Sequence, residues 1–580
     1  MITFMSKISK FLSIFLLITL FGSCGSDLSR KDKVAAMVGT MDSPFFAAAF
    51  VPENLSTKAG VNDGALPMIY ETMISFLFSE EATGIDINEQ VQVVAARGEG
   101  MLPSVYAFVP LNNVNKFITL VKKELNAKIE EKDGVSYFRK DKDNYVVAWR
   151  DDIAIISNVP VRLENIFSKS SLDSKKAAIR LVKLLNGDFK ESTTTNYRDF
   201  FDKEGDIITY AHGQNTFNIL NDLKFIRARQ KREIQALLSG LTFESAITFE
   251  NGSIRIKGDY FLSDSIRKKF DFIQEGGLNA DMLTFGRTES PMFTYGLNIS
   301  PASLIQFMNE NGELIEFDDL EKELSRNNLS LEMIEEAFTG QALIMADGFE
   351  TIANNYNEDS VSVPAIAAVF DLKNETKINE FLNLLDSTEH PNGYAVYNDT
   401  YFYVKEGKLL VTNSLKWAEM IERGETKKIE DPSDRMTTFP VNFFLNNKFF
   451  IELKEELDEL TGNEFTKNIE EIWATATLTN GETRLLLKDK EKNALRMIVE
   501  TLVEASERQN MHNDEEMKAF LRDFETKDIE EILDGLEPEL KKIKEESGIE
   551  QKLEDLGPEK AKSLFEDILE ELESEADLSN

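Results

Sequence analysis

The sequence predicts an α+β protein made of two tandem copies of one antiparallel-sheet-plus-helices module, followed by a short acidic all-helical C-terminal segment. Three observations lead to this prediction. Short motifs recur in the same order in the two halves of the 580-residue chain, as expected of an internal repeat. Each half mixes helix-like and strand-like apolar periods without strict alternation of strand and helix, which favours α+β. The last 70 residues are strongly acidic.

The first repeated motif is a strand-like segment followed by a Ser-Pro pair. Val38-Gly39 precedes Ser43-Pro44, and Tyr295-Gly296 precedes Ser300-Pro301. Serine can accept a hydrogen bond from the first turn of a helix, and proline fits the first helical position. In both halves we therefore expect a strand that ends at the serine and a helix that begins at the proline.

The second repeated motif is a Thr-Gly pair after an acidic, helix-like segment. It occurs as Thr83-Gly84 and again as Thr339-Gly340. Glycine is favoured just beyond the end of a helix because it adopts positive φ without strain. In each half this motif predicts a helix that stops before the glycine and a strand that follows it.

The third repeated motif is an apolar strand followed by a helix. The strands are expected at 104–109 and 365–370, with Asn113 and Asn374 at the starts of the helices. Two aromatic strands follow in each half and end at Asn158 and Asn413. Apolar residues recur at helical spacing after each helix start: Phe117, Leu120, Val121, Ile378, Phe381 and Leu382.

Each half ends with an expected β-hairpin and a helix. Asn251-Gly252 and Asn480-Gly481 each stand between alternating segments, and Asn-Gly is typical of a type I′ turn with positive φ at both central residues. The first copy is longer than the second. We expect its additional residues in the segment 162–205, with a helix near 175–185.

These motifs place copy 1 at residues 36–285 and copy 2 at residues 290–510. The remaining segment, 511–580, holds 24 acidic and 9 basic residues. Its apolar residues keep helical spacing between Gly and Pro breaks, which indicates short amphipathic helices. These helices would pack on the second copy or form an arm for a protein partner, and a disordered tail is the third alternative.

The N-terminus resembles the signal peptides of bacterial lipoproteins. Lys7 and Lys10 precede the apolar run 11–21, which is too short to span a membrane comfortably. Gly22-Ser23 then leads to Cys24, the sole cysteine of the chain, so a disulfide framework is excluded. We expect a signal peptide at 1–23, lipidation of Cys24 and a flexible tether at 24–35; an ordinary signal with an incidental cysteine is the alternative.

The charge of the chain limits its partners. A formal net charge of −37 makes nucleic acid an improbable ligand and opposes a flat docking surface on anionic headgroups. The expected partners are the membrane, through the N-terminal lipid, and a protein that binds the acidic C-terminal helices. The expected location is the cell envelope, at the outer membrane, with the periplasmic and surface faces both open.

The sequence contains no recognisable catalytic, metal or cofactor motif. Phosphate-binding glycine loops and a nucleophile elbow are absent. The three histidines, His212, His390 and His512, lie far apart outside any metalloprotease frame, so we expect neither a metal site nor a cofactor. A pair of catalytic carboxylates stays open, because two acids at any sequence distance can form one.

Aromatic residues on the expected central strands form the candidate ligand surface. Exposed rings could stack on a sugar or a peptide, whereas buried rings would be ordinary cross-strand pairs, the favoured alternative. The residues concerned are Tyr137, Tyr145, Trp149, Tyr394, Tyr397, Tyr401 and Tyr403.

The lipoprotein signal, Thr83-Gly84-Ile85-Asp86, Leu111-Asn112-Asn113 and Asp371-Leu372-Lys373-Asn374 together resemble a family of uncharacterised two-copy lipoproteins of Gram-negative bacteria, classed as a domain of unknown function. The resemblance implies an envelope location and a duplicated architecture, and it implies no activity. We expect a non-catalytic binding or scaffolding lipoprotein. The alternative is an envelope hydrolase that uses a carboxylate pair.

Overall fold

A computed structural model describes residues 29–61, 80–98, 103–125, 127–140, 145–159, 174–187, 195–222, 228–310, 322, 330–353, 360–384, 388–389, 395–397, 400–430, 432–449, 451 and 467–503. Cys24, His390, Tyr394, His512 and the acidic segment 511–580 lie outside these residues. Lipidation of Cys24 and the C-terminal helices therefore stay predictions.

The described residues contain twenty strands in one antiparallel sheet. The strands are β1 Phe46–Phe50, β2 Val91–Ala96, β3 Ser104–Pro110, β4 Glu130–Lys132, β5 Val135–Lys140, β6 Tyr145–Arg150, β7 Ile153–Asn158, β8 Ile207–His212, β9 Leu241–Glu250, β10 Ser253–Leu262, β11 Phe293–Asn298, β12 Phe338–Ala353, β13 Ser360–Leu372, β14 Thr388–Glu389, β15 Ala395–Tyr397, β16 Thr400–Lys405, β17 Lys408–Thr412, β18 Val441–Asn446, β19 Ile469–Ala476 and β20 Asn480–Leu487.

Helices lie between many of these strands. They are α1 Arg30–Gly39, α2 Pro52–Ala59, α3 Glu80–Thr83, α4 Val114–Glu124, α5 Ser174–Leu185, α6 Thr195–Phe201, α7 Gly213–Asp222, α8 Ala228–Leu238, α9 Asp264–Lys269, the 3-10 helix η1 Ala280–Phe285, α10 Pro301–Glu310, α11 Leu331–Ala337, α12 Glu375–Leu384, α13 Leu415–Arg423, α14 Ser433–Thr438 and α15 at 494–503. The α+β class with an antiparallel sheet is confirmed.

The order of strands across the sheet is the same when counted from either edge. From one edge to the other it is β4-β5-β6-β7-β3-β2-β1-β8-β9-β10, then β20-β19-β18-β11-β12-β13-β17-β16-β15-β14. The two groups of ten meet where β10 pairs with β20, a junction that we call the seam. Strand β4 thus corresponds to β14, and β10 to β20.

Helices cover both faces of the sheet in the first group of strands. Along β6, Val146 and Ala148 belong to one buried core, whereas Val147 and Trp149 belong to another. The first core is closed by α1, α5 and α6, and the second by α4. Because neighbouring residues of a strand point to opposite faces, this alternation places the sheet between two helical layers.

Two asparagines at equivalent strand ends make the same hydrogen bonds. The side chain of Asn158 accepts from the backbone N–H of Val105 at 2.7 Å and donates to the carbonyl of Pro103 at 3.2 Å. The side chain of Asn413 accepts from Ile366 at 2.8 Å and donates to the carbonyl of Pro364 at 3.0 Å. In each case the asparagine at or just after the end of one strand bonds to two residues of the neighbouring strand region, at the start of β3 for Asn158 and within β13 for Asn413.

The expected flexible tether at 24–35 is wrong in its second part. Helix α1 begins at Arg30, and the side-chain oxygen of Ser29 accepts a hydrogen bond from Asp32 N. The polar composition of this segment indicated a linker, but its charged residues pair with residues that are distant in sequence. The boundary of copy 1 at residue 36 therefore falls inside a helix.

The Ser43-Pro44 prediction is also wrong. Val38-Gly39 ends helix α1 and Pro44 precedes strand β1, whereas the helix after β1 begins at Pro52. In the second half Pro301 begins α10, as expected. Proline is compatible with the start of a strand as well as with that of a helix, so the dipeptide alone did not identify the element.

The Thr-Gly prediction holds for one of its two sites. Helix α3 ends at Thr83, before Gly84, whose φ is 78°. Helix α11 ends earlier, at Ala337, and Thr339-Gly340 lies inside β12. A Cβ atom on Gly340 would lie 1.7 Å from the carbonyl oxygen of Ile299, so close backbone packing requires glycine at this position.

Both expected hairpins are present, but the predicted type I′ turns are wrong. In the first, Glu250 pairs with Ser253, and Gly252 rather than Asn251 has positive φ, at 66°. In the second, Gly481 lies within β20 opposite Ala476, so the turn occupies 477–479. The side-chain oxygen of Thr477 accepts from the backbone N–H of Asn480 at 3.1 Å, an interaction that closes this longer turn.

Candidate functional site

Two of the predicted aromatic residues are buried. Trp149 is 2% exposed and Tyr145 is 6% exposed. The ring of Trp149 packs edge-on against Phe117 at 5.5 Å, and Tyr145 packs edge-on against Phe138 at 6.1 Å. Rings enclosed in this way have no free face for a ligand, so they fit the cross-strand alternative.

The other predicted aromatic residues do not form a common surface with Tyr145 and Trp149. Tyr137 is partly buried and its hydroxyl donates to Glu130 at 3.0 Å; burial and this hydrogen bond raise the pKa of Tyr137. Tyr401 and Tyr403 are partly buried on one face of β16, near the opposite edge of the sheet, and Tyr397 contributes its backbone to β15. The structure therefore does not assemble one aromatic surface from the two halves.

His212, the histidine that lies within the described residues, forms a hydrogen bond with the backbone. Nδ1 of His212 accepts a hydrogen bond from the backbone N–H of Asn215 at 3.3 Å, at the start of α7. Burial lowers the pKa of His212, and a backbone hydrogen bond opposes this effect. The part of the chain that the structure describes contains no group of three side chains able to hold a metal ion.

Two buried carboxyl groups have raised pKa values. Burial raises the pKa of Asp86, against the effect of the Arg30 guanidinium 2.7 Å away. Burial also raises the pKa of Asp347, which accepts a hydrogen bond from the Thr288 hydroxyl at 2.6 Å. The first belongs to the group of strands before the seam and the second to the group after it, each with its own partners. The structure therefore does not bring them together as a catalytic pair.

A cleft of about 730 Å³ opens beside the seam. Its walls come from the end of α6 and the residues between α6 and β8, from the first turns of α1 and α2, from the residues just before β2, and from strands β9 and β10. We call it the charged cleft. Its charged lining residues are Lys31, Glu89, Asp202, Lys203, Glu204, Asp206, Arg255 and Lys257.

Ion pairs fix one wall of the charged cleft. Lys203 pairs with Glu244 and lies 3.3 Å from Asp259, and these two carboxylates raise the pKa of Lys203 despite its partial burial. Asp206 is 6% exposed, lies 2.6 Å from Lys58 and accepts a hydrogen bond from the backbone N–H of Phe249 at 2.6 Å. The wall therefore carries paired charges of both signs.

The floor of the charged cleft is formed by β10. Arg255 lies 3.1 Å from Glu250, and Lys257 is exposed two residues further along the same face. The lining contains no histidine, cysteine or serine, so it offers charge and hydrogen bonds rather than a nucleophile with its base. No sequence motif indicated this cleft, because its residues come from six separate segments.

Comparisons with known proteins give little further information. No family model matches the chain, and no curated protein matches it. Two crystal structures of TP0453 are similar: form IV, with 14% identity, covers 39% of this chain and 79% of its own at a TM-score of 0.23. Form I, with 10% identity, covers 67% and 96% at a TM-score of 0.20. Scores this low do not establish a common fold.

The described helices are all too short or too polar to cross a membrane. The fold thus defines an α+β protein with one large antiparallel sheet.

Proposed function

We propose that this chain is a cell-envelope lipoprotein, held at the outer membrane by lipid on Cys24, with a non-catalytic binding role. The motif around Cys24 supports the anchor. The charged cleft supports the binding role, because it is a large concave site with fixed charges of both signs. A ligand that complements it is polar and carries both signs of charge, as a peptide segment does.

We also propose that the protein is a duplication, with the seam as the junction of its two copies. The strand order that is the same from both edges supports this interpretation. The matching hydrogen bonds of Asn158 and Asn413 support it independently, since side-chain bonds of this kind do not follow from strand order. The charged cleft then lies beside the junction, in the first copy.

Residues 511–580 are a further part of the proposal. We propose that most of this acidic segment packs as short helices on an apolar surface, with the last helix, near 559–573, available to a basic or apolar protein partner. Short helices with many like charges are unstable alone in water. Hydrogen exchange of the purified protein tests this: fast exchange throughout 511–580 contradicts packing, and full protection of 559–573 contradicts a free arm.

Photo-crosslinking in intact cells tests the binding role. Asn54 lines the charged cleft and is exposed, so a photo-reactive amino acid at this position should capture the ligand. The matched control carries the same group at Lys268, an exposed residue of α9 outside the cleft. We expect an adduct at position 54 that is lost in Lys257→Glu. Equal labelling at both positions, or an adduct unaffected by Lys257→Glu, contradicts the proposal.

A further inference from the structure

The start of helix α1 is held by ion pairs to three other parts of the protein. Residues 30–33 read Arg-Lys-Asp-Lys, and each of these four side chains pairs with an oppositely charged residue that is distant in sequence. A flexible tether would leave such residues in solvent. We call this group of ion pairs the N-terminal clamp.

Arg30 is the central residue of the clamp. Its guanidinium lies 2.7 Å from Asp86 and 3.1 Å from Asp152, and the side chains of Arg30 and Asp86 are only 9% and 3% exposed. Lys33 adds a contact of 3.2 Å to Asp152. Separating a buried pair of this kind leaves an uncompensated charge, so the contact resists opening.

The remaining contacts hold α1 from its other side. Asp32 lies 2.9 Å from Arg198 of α6, and Lys31 pairs with Asp202 just after that helix. The clamp contains four basic and four acidic side chains: Arg30, Lys31, Lys33, Arg198, Asp32, Asp86, Asp152 and Asp202. It is electrically neutral in a chain whose net charge is −37.

The clamp lies at the end of the body where helix α4 begins. The carbonyl of Asp152 accepts a hydrogen bond from Leu111 N at 2.7 Å, and Asn113 caps α4 two residues later. The helix leads away from this end, because the carbonyl of Leu125, just after α4, accepts a hydrogen bond from Lys140 at the far end of β5. Helix α4 therefore runs from the clamp toward the opposite end of the sheet.

Only five residues, 25–29, separate Cys24 from helix α1. The six residue steps from Cys24 to Arg30 span at most about 22 Å when fully extended. If Cys24 carries lipid in the membrane, the clamp must lie within that distance of the headgroups. A rotation that moved the opposite end of the body toward the membrane would require the clamp to open.

We propose that the N-terminal clamp fixes the orientation of the body, with the start of α4 facing the lipid surface and the end of α4 pointing away from it. This inference rests on the proposed lipidation of Cys24. The neutrality of the clamp lets this end approach anionic headgroups without the repulsion that the acidic remainder of the chain experiences. The partner is a lipid bilayer surface that contacts one defined end of the protein.

Two label positions on α4 test the orientation. Asn115 and Lys122 are both exposed and lie seven residues apart, on the same face of the helix but about 10 Å apart along its axis. Each is replaced by cysteine in the full lipidated chain, where Cys24 is blocked by its thioether, and is labelled with a fluorophore. The protein is reconstituted in vesicles that contain a headgroup-attached quencher.

We expect the label at position 115 to be quenched about two-fold more strongly than that at position 122, because it lies about 10 Å closer to the headgroups. The difference in quenching between the two positions should become smaller in the double variant Arg30→Ala/Lys33→Ala, in which the clamp opens. Equal quenching in a vesicle-bound chain, or stronger quenching at 122, overturns the orientation and leaves the anchor intact. A chain that carries no lipid by mass spectrometry overturns both proposals.

Discussion

Arg255 stands directly opposite Arg484 in the register of the seam. Each arginine comes four residues after the asparagine of its own hairpin, Asn251 or Asn480. Like charges placed opposite each other on neighbouring strands are destabilising. Glu250 offsets this repulsion, because its carboxylate lies 3.1 Å from Arg255 and 4.0 Å from Arg484. One carboxylate from the hairpin before the seam thus contacts both arginines.

The first prediction concerns Glu250. Glu250→Gln should lower the free energy of unfolding by roughly 0.5–1 kcal/mol, a modest value because these side chains are about one-third exposed. Replacement of Arg255 by Thr in the same chain should recover part of the loss, since it removes the repulsion. Urea denaturation measures both changes. A control, Glu482→Gln, should cost less because the carboxylate of Glu482 lies 3.7 Å from Arg484 and does not bridge the two arginines.

The second prediction concerns the buried ion pair of the N-terminal clamp. Asp86→Ala should lower the free energy of unfolding by about 3 kcal/mol, because Arg30 is then buried with one of its two carboxylates missing. Asp271→Ala, at an exposed residue outside the clamp and with an ordinary φ, is the control and should change stability little. Equal costs for the two variants in chemical denaturation would show that the clamp contributes nothing specific.

The third prediction concerns pH. Burial lowers the pKa of His212 below its usual 6.5, so the unfolded chain binds this proton at a higher pH than the folded chain does. The contribution of His212 to stability should therefore be complete above pH 6.5 and decrease as the pH falls below that value. The difference in unfolding free energy between wild type and His212→Gln should narrow on acidification. A difference independent of pH between 7.5 and roughly 5 contradicts this assignment.

The fourth prediction separates core packing from ligand binding at Trp149. Trp149→Ala should cost about 3–5 kcal/mol, because the ring is 2% exposed and packs against Phe117. Thermal and chemical denaturation measure the loss. If Trp149→Ala leaves stability unchanged, the ring is not part of the core and the ligand-surface interpretation regains support.

The fifth prediction concerns the anchor. Cys24→Ala should release the protein from membranes into the soluble fraction, because the lipid is the proposed attachment. Cell fractionation after a high-salt wash measures this, with the wild-type chain as the control. A Cys24→Ala chain that stays with the membrane would show that another part of the protein holds it there.

Several elements were predictable because their cause is local. The helix after Asn113 follows from the cap and from the spacing of Phe117, Leu120 and Val121, all of which are buried. Helix α5 lies at Ser174–Leu185, close to the expected 175–185. Apolar periodicity predicts strands and helices of this kind, and it can be recognised in a single sequence.

Other features depended on contacts between distant segments. In the sequence, Arg30 and Lys33 resemble residues of a linker. In the folded protein, they form ion pairs with Asp86 and Asp152, which are distant in sequence. The charged cleft has the same origin, since its walls come together only when β9 pairs with β8 and β10. Ion pairing and cavity shape depend on distances in space, and these distances cannot be read from the spacing of residues in the sequence.

The sequence by itself determined the α+β class, the positions of most strands and several helices, because apolar period and end-capping residues act over a few neighbours. Only the tertiary structure decided how the strands are ordered, that Arg255 lies opposite Arg484 at the seam, and that helix α1 already begins at Arg30. Those outcomes depend on which distant surfaces bury each other most favourably, a choice that no local pattern specifies.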